Sequence, residues 1–345
     1  MITMSQMIAK PLTLVTGASG FIGGQMALTL AAKNRPLRLL LRPGAPTRHL
    51  SGIEYQPAYG DLRDYSSLVS AMKGVEVVYH MAALFALWTR NRNDFFEINV
   101  QGTKNICRAA LEAGIKRFIY TSTTGAVGIS DTPAKLLDEK ALWNRGWTND
   151  PYTLSKYEAE QVVKEYVGMG LPAVILNPTG PVGPGDVRPT PTGKLICDFI
   201  RGTGRAFGRV PFYVDAHFSL VDVRDVALGH LLAETIGTIG ERYILCAENL
   251  SAKDLMIRLA VLAGKKPPTI KIPTFLIQKF AGAAEWLADH ITHQPPMITR
   301  PYAKLLPCYF WFDSTKSKKE LGMTYRPIEG ALKDSIAWFK KEHYV

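Results

Sequence analysis

Thr13-Leu14-Val15-Thr16-Gly17-Ala18-Ser19-Gly20-Phe21-Ile22-Gly23-Gly24 decides how the chain is read. Residues suited to a buried strand run straight into a G-x-x-G-x-x-G turn, and helix-spaced residues follow. Gly17 permits the tight turn, Gly20 lets the backbone approach a pyrophosphate, and Gly23 allows close packing of helix on strand. The helix then opens with unpaired N–H groups and the positive end of its dipole, a setting that suits phosphate. The stretch predicts a β-turn-α unit for a dinucleotide, with Gly17, Ser19, Gly20, Phe21, Ile22 and Gly23 against it.

Outward from this turn, apolar runs at 12–16, 37–41, 75–80, 117–121 and 173–176 alternate with helix-periodic segments at 21–33, 64–73, 94–113 and 152–168. That alternation predicts an α/β fold, a Rossmann-type doubly wound parallel sheet. From 178 to 217 the chain is rich in Pro and Gly, which reads as a shaped loop region. A strand at 241–245 and a helix at 251–263 follow. The expected organisation is a cofactor-binding and catalytic domain over 1–180, rejoined by 218–246. A smaller, mainly helical C-terminal substrate lobe takes 181–217 and 247–345.

With 345 residues, 47% hydrophobic and 21% charged, the composition is that of a soluble globular chain, and no apolar run is long enough to span a membrane. The stretch before Pro11 is too short and polar for a signal peptide, and Met4 and Met7 are alternative starts. Cys107, Cys197, Cys246 and Cys308 show neither metal-ligand nor disulfide spacing, so reduced thiols in a cytoplasmic protein are expected. The net charge of +11 favours anionic ligands. It is dispersed, which argues against a nucleic-acid groove and is compatible with weak peripheral membrane association and with a homodimer. His80, His217 and His230 read as satisfied structural residues, and the helix-spaced apolar residues of 274–290 as lobe core.

Two further sites carry chemistry. The second strand ends in Leu41-Arg42-Pro43 where an acidic residue would serve the adenosine ribose of NAD, and Arg48 follows closely. A guanidinium suits a 2′-phosphate, so NADP(H) is expected over NAD(H). Beyond the third strand, Asp61 of Gly60-Asp61-Leu62 offers an acceptor to the adenine amino group. Tyr152-Thr153-Leu154-Ser155-Lys156 places Tyr and Lys on one helix face, where the ammonium would lower the phenol pKa and make it a usable acid/base. Upstream, Tyr120-Thr121-Ser122-Thr123-Thr124-Gly125 brings hydroxyls to the carboxyl end of a strand, where α/β sheets build their sites.

Taken with His80-Met81-Ala82-Ala83, Asn99-Val100-Gln101-Gly102-Thr103-Lys104-Asn105, Asn177-Pro178 and Leu220-Val221-Asp222-Val223-Arg224-Asp225, the chain resembles an extended short-chain dehydrogenase/reductase of the nucleotide-sugar epimerase/dehydratase type. Ala86-Leu87-Trp88, the loop 186–194, Gly240-Glu241-Arg242-Tyr243 and Phe312-Asp313-Ser314 are similar to a hopanoid-associated sugar epimerase branch close to dihydroflavonol 4-reductases. The resemblance implies Tyr152 as acid/base, Lys156 as its partner, Thr123 or Ser122 orienting the carbonyl, and Asn99 supporting Lys156 through a water. It implies that Leu62, Met81, Ala82, Ala83, Thr121, Ser122, Asn177, Pro178 and Thr179 lie along the cofactor.

One departure bears on the substrate. Epimerases of this type hold a diphosphate with an Arg-Pro-Gly-Asp-like element, and here Leu306-Pro307-Cys308-Tyr309-Phe310-Trp311-Phe312 replaces it. An aromatic, uncharged stretch suits an apolar surface better. Leu84, Phe85, Leu87 and Trp88 are expected to wall the same pocket. The expected activity is hydride transfer between NAD(P) and a ketone or secondary alcohol of a small, hopanoid-like or polycyclic molecule. The alternative is a sugar epimerase or dehydratase that uses the cofactor transiently.

Overall fold

Leu14 and Val15, adjacent in β1 (Thr13–Thr16), face opposite sides of a sheet and join different hydrophobic clusters. The same division repeats in β2 (Leu37–Leu41), where Leu39 and Leu40 part, and in β4 (Val77–His80), where Val78 and Tyr79 do. Strands buried on both faces need helices on both faces, and the segments between the strands supply them. Helix α1 (Phe21–Ala31) covers one side and α2 (Tyr65–Met72) the other. The fold is a computed structural model that describes residues 10–202 and 212–345; Met4 and Met7 lie outside them.

Strand β3 (Gln56–Tyr59), which shows no apolar run, lies at the sheet edge, largely exposed and carrying Pro57. Past β4, α3 (Asn93–Phe95), a π-helical turn at Phe96–Gln101 and α4 (Gly102–Glu112) form one continuous rod. Strand β5 (Arg117–Thr121), α5 (Pro151–Gly168) and β6 (Ala173–Pro178) follow. Pro151 at the first turn suits the start of α5, because the N–H it lacks would have no partner there.

The remaining strands are β7 (Gly180–Val182), β8 (Phe212–Val214), β9 (His217–Asp222), β10 (Arg242–Leu245), β11 (Glu248–Ser251) and β12 (Ile270–Ile272). The seven-stranded sheet has the order β10-β6-β5-β4-β1-β2-β3 with every pairing parallel, so it is a Rossmann-type doubly wound sheet. All carboxyl ends therefore share one edge. Two small sheets, β11-β9-β7 and β12-β8, stand among the helices of the lobe.

The Pro/Gly-rich segment holds a regular element, α6 (Pro191–Arg201). Its boundaries are ordinary start and stop signals: Thr190 caps Gly193 N, Pro191 sits in the first turn, and Gly202 ends the helix with φ +64°. Then come α7 (Val223–Ile236), α8 (Ala252–Ala263), α9 (Thr274–Leu287), α10 (Arg300–Leu305), α11 (Thr315–Glu320) and α12 (Ile328–Lys341). Ser317 of α11 donates to Ile244 O of β10, which ties this late helix to the main sheet. The expectation that 274–290 packs the lobe core is overturned: only Ala281 and Glu285 of α9 are buried, and its aromatic residues face outward.

Glycines here differ in what they permit. A Cβ on Gly23 would drive into the Gly17 carbonyl, whereas one on Gly330 in α12 would meet open space. Gly23→Ala should cost about 1–3 kcal/mol in urea unfolding, and Gly330→Ala should gain up to about 1 kcal/mol. Equal effects of the two substitutions would show that the turn is not closely packed.

Candidate active site

Gly17 takes φ +76°, and a Cβ there would lie 2.7 Å from Ala82 N, so the turn is pressed against the end of β4. Thr16 fastens this approach: its Oγ1 accepts from Met81 N (3.1 Å) and Ala82 N (3.0 Å) and bonds His80 Nδ1 (2.9 Å). His80 Nε2 bonds Thr103 on α4, and burial pushes the imidazole down to about 3, which keeps it neutral. α1 has neither a side-chain cap nor an acidic residue in its first turn. Its leading N–H groups are thereby left to an anion, and the cradle fits a dinucleotide pyrophosphate.

One cavity of about 660 Å³ runs from this turn along the carboxyl edge of the sheet into the lobe. Gly17, Ser19, Gly20, Phe21, Ile22 and Gly23 line one end, with Arg42, Asp61 and Leu62 beside them. Met81, Ala82, Ala83, Thr121, Ser122, Thr123, Tyr152, Lys156, Pro178 and Thr179 continue the wall. Arg48, Asn99 and Asn177 are not part of it. Arg48 is exposed on the 3₁₀ turn Arg48–Leu50. Asp61 is held by Arg63 through two hydrogen bonds (2.9 and 3.1 Å), which keep its carboxyl below the usual range.

Helix α5 presents Tyr152, Lys156 and Glu160 at successive i+4 positions toward β5 and β6. Lys156 Nζ donates to Tyr120 Oη (2.9 Å) and Thr121 O (2.8 Å), and burial lowers its pKa to about 7. Glu160 accepts from Ser122 Oγ (2.7 Å) and Asn177 Nδ2 (2.9 Å) and pairs with Arg242 (3.2 Å) and Lys164 (3.1 Å). The Ser122 hydroxyl is thus committed to Glu160, while that of Thr123 accepts from Gly125 N (3.2 Å) and shares the cavity wall with Tyr152.

The expected lowering of the Tyr152 pKa by Lys156 is not what the structure has. The ammonium takes its acceptors at the end of β5, and the phenol packs against Phe85, ring centroids 4.9 Å apart. Burial, then the nearby Asp150 carboxylate, hold the phenol well above its ordinary value. Asn99 joins the loop after β4 to α5. On the π-helical turn its Oδ1 accepts from Leu84 N (2.7 Å), and its Nδ2 donates to Leu84 O (3.1 Å) and Ser155 Oγ (3.0 Å).

Beyond Tyr152 the wall is Phe85, Tyr302, Leu305, Leu306, Phe310 and Phe312. Leu84 reaches the cavity, but Leu87 and Trp88 do not; Trp88 Nε1 instead donates to Asp289 (2.8 Å). His230 is satisfied on both ring nitrogens, whereas His217 lines the cavity with its Nδ1 unpartnered. Arg145 escaped the sequence reading. It is buried beside Asp150 (3.5 Å) and over the Phe310 ring (5.1 Å), in a loop without any motif. Glu160 also escaped it, although its spacing from Lys156 repeats that of Lys156 from Tyr152.

A glycine cradle at the head of a parallel sheet, opening into a cavity that passes Lys156 and Tyr152, defines an extended short-chain dehydrogenase/reductase. The profile of the NAD dependent epimerase/dehydratase family matches residues 13–246. A Synechocystis sp. protein bearing the name of a dihydroflavonol 4-reductase is 34% identical over 96% of this chain and 95% of its own. Sterol demethylase protein B of Methylococcus capsulatus is 34% identical over 95% and 98%. The crystal structure of gox2253 superposes with a TM-score of 0.85 at 39% identity, covering 97% of this chain and all of that one. The chain belongs to the NAD-dependent epimerase/dehydratase family.

Tyr152→Phe should leave the fold and cofactor binding intact and lower turnover at least ~100-fold, the scale of a positioned acid/base. Wild-type turnover in that variant would remove the phenol from the chemistry. Since Lys156 loses its proton near pH 7, kcat/KM for carbonyl reduction should bend downward above that pH. Lys156→Arg, which keeps the charge, should carry the bend to higher pH; a profile flat to high alkalinity in the wild type would contradict the assignment.

Proposed function

We propose that the chain is an NADP(H)-dependent oxidoreductase that interconverts a ketone and a secondary alcohol on a largely apolar, polycyclic substrate. The observation that carries the substrate class is the far wall of the cavity. The 306–312 segment contributes Leu306, Phe310 and Phe312 to it and no basic side chain. Burying ring faces against such a wall is worth a few kcal/mol, and the one guanidinium beside Phe310, that of Arg145, is paired with Asp150 (3.5 Å). Relatives named for flavonoid reduction and sterol demethylation lend support.

A bound nicotinamide supplies or accepts the hydride. Tyr152 gives its phenolic proton to the carbonyl oxygen during reduction and recovers it during oxidation. Thr123 orients the same oxygen. Lys156, on the same cavity wall, would hold the nicotinamide ribose, and Asn99 fastens the Leu84 backbone to α5, next to Phe85. Arg42, exposed at the end of β2 and lining the cavity, holds the 2′-phosphate.

A second reading, an epimerase or dehydratase with transient cofactor use, draws on Arg188, a cavity-lining side chain able to meet a phosphate. Stoichiometric consumption of NADPH on incubation with polycyclic ketones supports the first reading. Turnover of a UDP-sugar without net cofactor change would replace it with the second. In direct titration NADPH should bind more tightly than NADH, and Arg42→Ala should cost NADPH roughly 10- to 100-fold in affinity while leaving NADH unchanged. Equal wild-type affinities for the two cofactors would withdraw the 2′-phosphate role.

A further inference from the structure

Helix α9 buries small Ala281 beside Glu285 and leaves its large apolar side chains exposed. A helix lying on a protein in water turns its apolar stripe inward. Here the inward side holds small Ala281 and the carboxylate of Glu285, which accepts from Arg300 N (2.8 Å) and Arg92 Nη2 (3.0 Å), while Gln278 Nε2 donates to Ala303 O (3.3 Å) at the flank. The outward face carries Phe275 (57% exposed), Leu276 (48%), Phe280 (51%), Trp286 (48%) and Leu287 (43%). At helical spacing these residues and Lys279 fall within an arc of roughly 140°. Exposed large side chains gathered on one helix face mark an interaction site, whereas scattered ones mean little.

We propose that this face of α9 docks the protein on an anionic lipid bilayer. Charge selects the occupant. Within 270–304 the only carboxylates are Glu285, turned inward, and Asp289, engaged by Trp88 Nε1. Lys279 lies in the apolar stripe, and exposed Lys304 extends from α10, which packs on α9. A lysine among aromatic residues can reach headgroup phosphates while its stem stays apolar. Across a two-fold axis the same Lys279 would meet its own copy, and each chain carries +11, so a second copy is the poorer match.

The helix that packs on α9 also reaches the cavity. α10 touches α9 through Ala303 and brings Tyr302 and Leu305, followed by Leu306, to the cavity wall. The docked protein would therefore hold its substrate end beside the lipid, with the apolar side chains sunk ~5–10 Å into the headgroup boundary.

Co-sedimentation of the full chain with vesicles tests this without any turnover, so it stands or falls apart from the proposed reaction. Binding is expected to phosphatidylcholine vesicles containing phosphatidylglycerol, and much more weakly to phosphatidylcholine alone. The double variant Phe280→Ser/Trp286→Ser should partition at least ~10-fold less. Lys279→Glu should weaken binding to the anionic vesicles alone. Unchanged NADPH binding in each variant verifies that it is folded. Failure to bind either vesicle, or equal binding by the double variant, overturns the proposal. So does a concentration-dependent dimer that the double variant abolishes, since that would make a second copy the occupant.

Discussion

A charge buried in the middle of the molecule governs the arrangement around it. Lys156 is almost wholly enclosed, and an unpaired ammonium there would be prohibitive. Its two acceptors, Tyr120 Oη and Thr121 O, come from the end of β5, so α5 cannot rotate or slide on the sheet without stripping them. One turn along, Glu160 is fully buried as well, and four groups from α5, the end of β5, β6 and β10 converge on it: Lys164, Ser122 just past Thr121, Asn177 and Arg242. Arg242 also donates to the carbonyls of Glu139 (2.8 Å) and Ala141 (2.9 Å), which extends the same network into the loop before α5. Such networks stabilise little for their size, but each member is costly to leave unpaired, and that fixes the geometry.

This scaffold explains why neighbouring hydroxyls take separate duties. Ser122 points at Glu160 and serves the frame, whereas Thr123 is left beside Tyr152. Meanwhile Tyr152 sits between Asp150, which opposes its ionisation, and Arg145, which favours it. The phenol therefore keeps its proton until something else draws on it, which is what the proposed donation to a carbonyl requires. Burial likewise disfavours the charged form of Lys156, and the Glu160 carboxylate one turn along favours it.

How much of this was legible in the sequence depended on whether backbone or tertiary placement set the residue. The Gly17–Gly23 turn was legible because its dihedral angle and close contacts admit no side chain. Tyr152 and Lys156 were legible from helical spacing together with a strand-end hydroxyl cluster. Strand β3 was not, since an exposed edge strand holding Pro57 has no apolar run to detect. α6 was hidden by the Pro and Gly that in fact mark its ends. Arg145 could not be found at all: its partners Asp150 and Phe310 are brought together only by the fold. The spacing in α9 showed that one face is apolar but carried no information on which way that face points.

That last ambiguity matters for function, because the apolar wall of the cavity and the apolar face of α9 sit on neighbouring helices. A polycyclic substrate that gains a few kcal/mol on leaving water for Phe85, Leu306 and Phe310 gains a similar amount on entering a bilayer. In bulk water it would be too dilute for the wall's affinity to be realised, and from a membrane the transfer is nearly neutral. On the proposed reaction, recognition would then rest on the few polar groups at the reacting end, Tyr152 and Thr123, with the wall contributing shape more than affinity. A cavity that takes its substrate from lipid needs its mouth near the bilayer, and on the proposed docking α10, which carries Tyr302 and Leu305 to the cavity wall, lies one helix away from it.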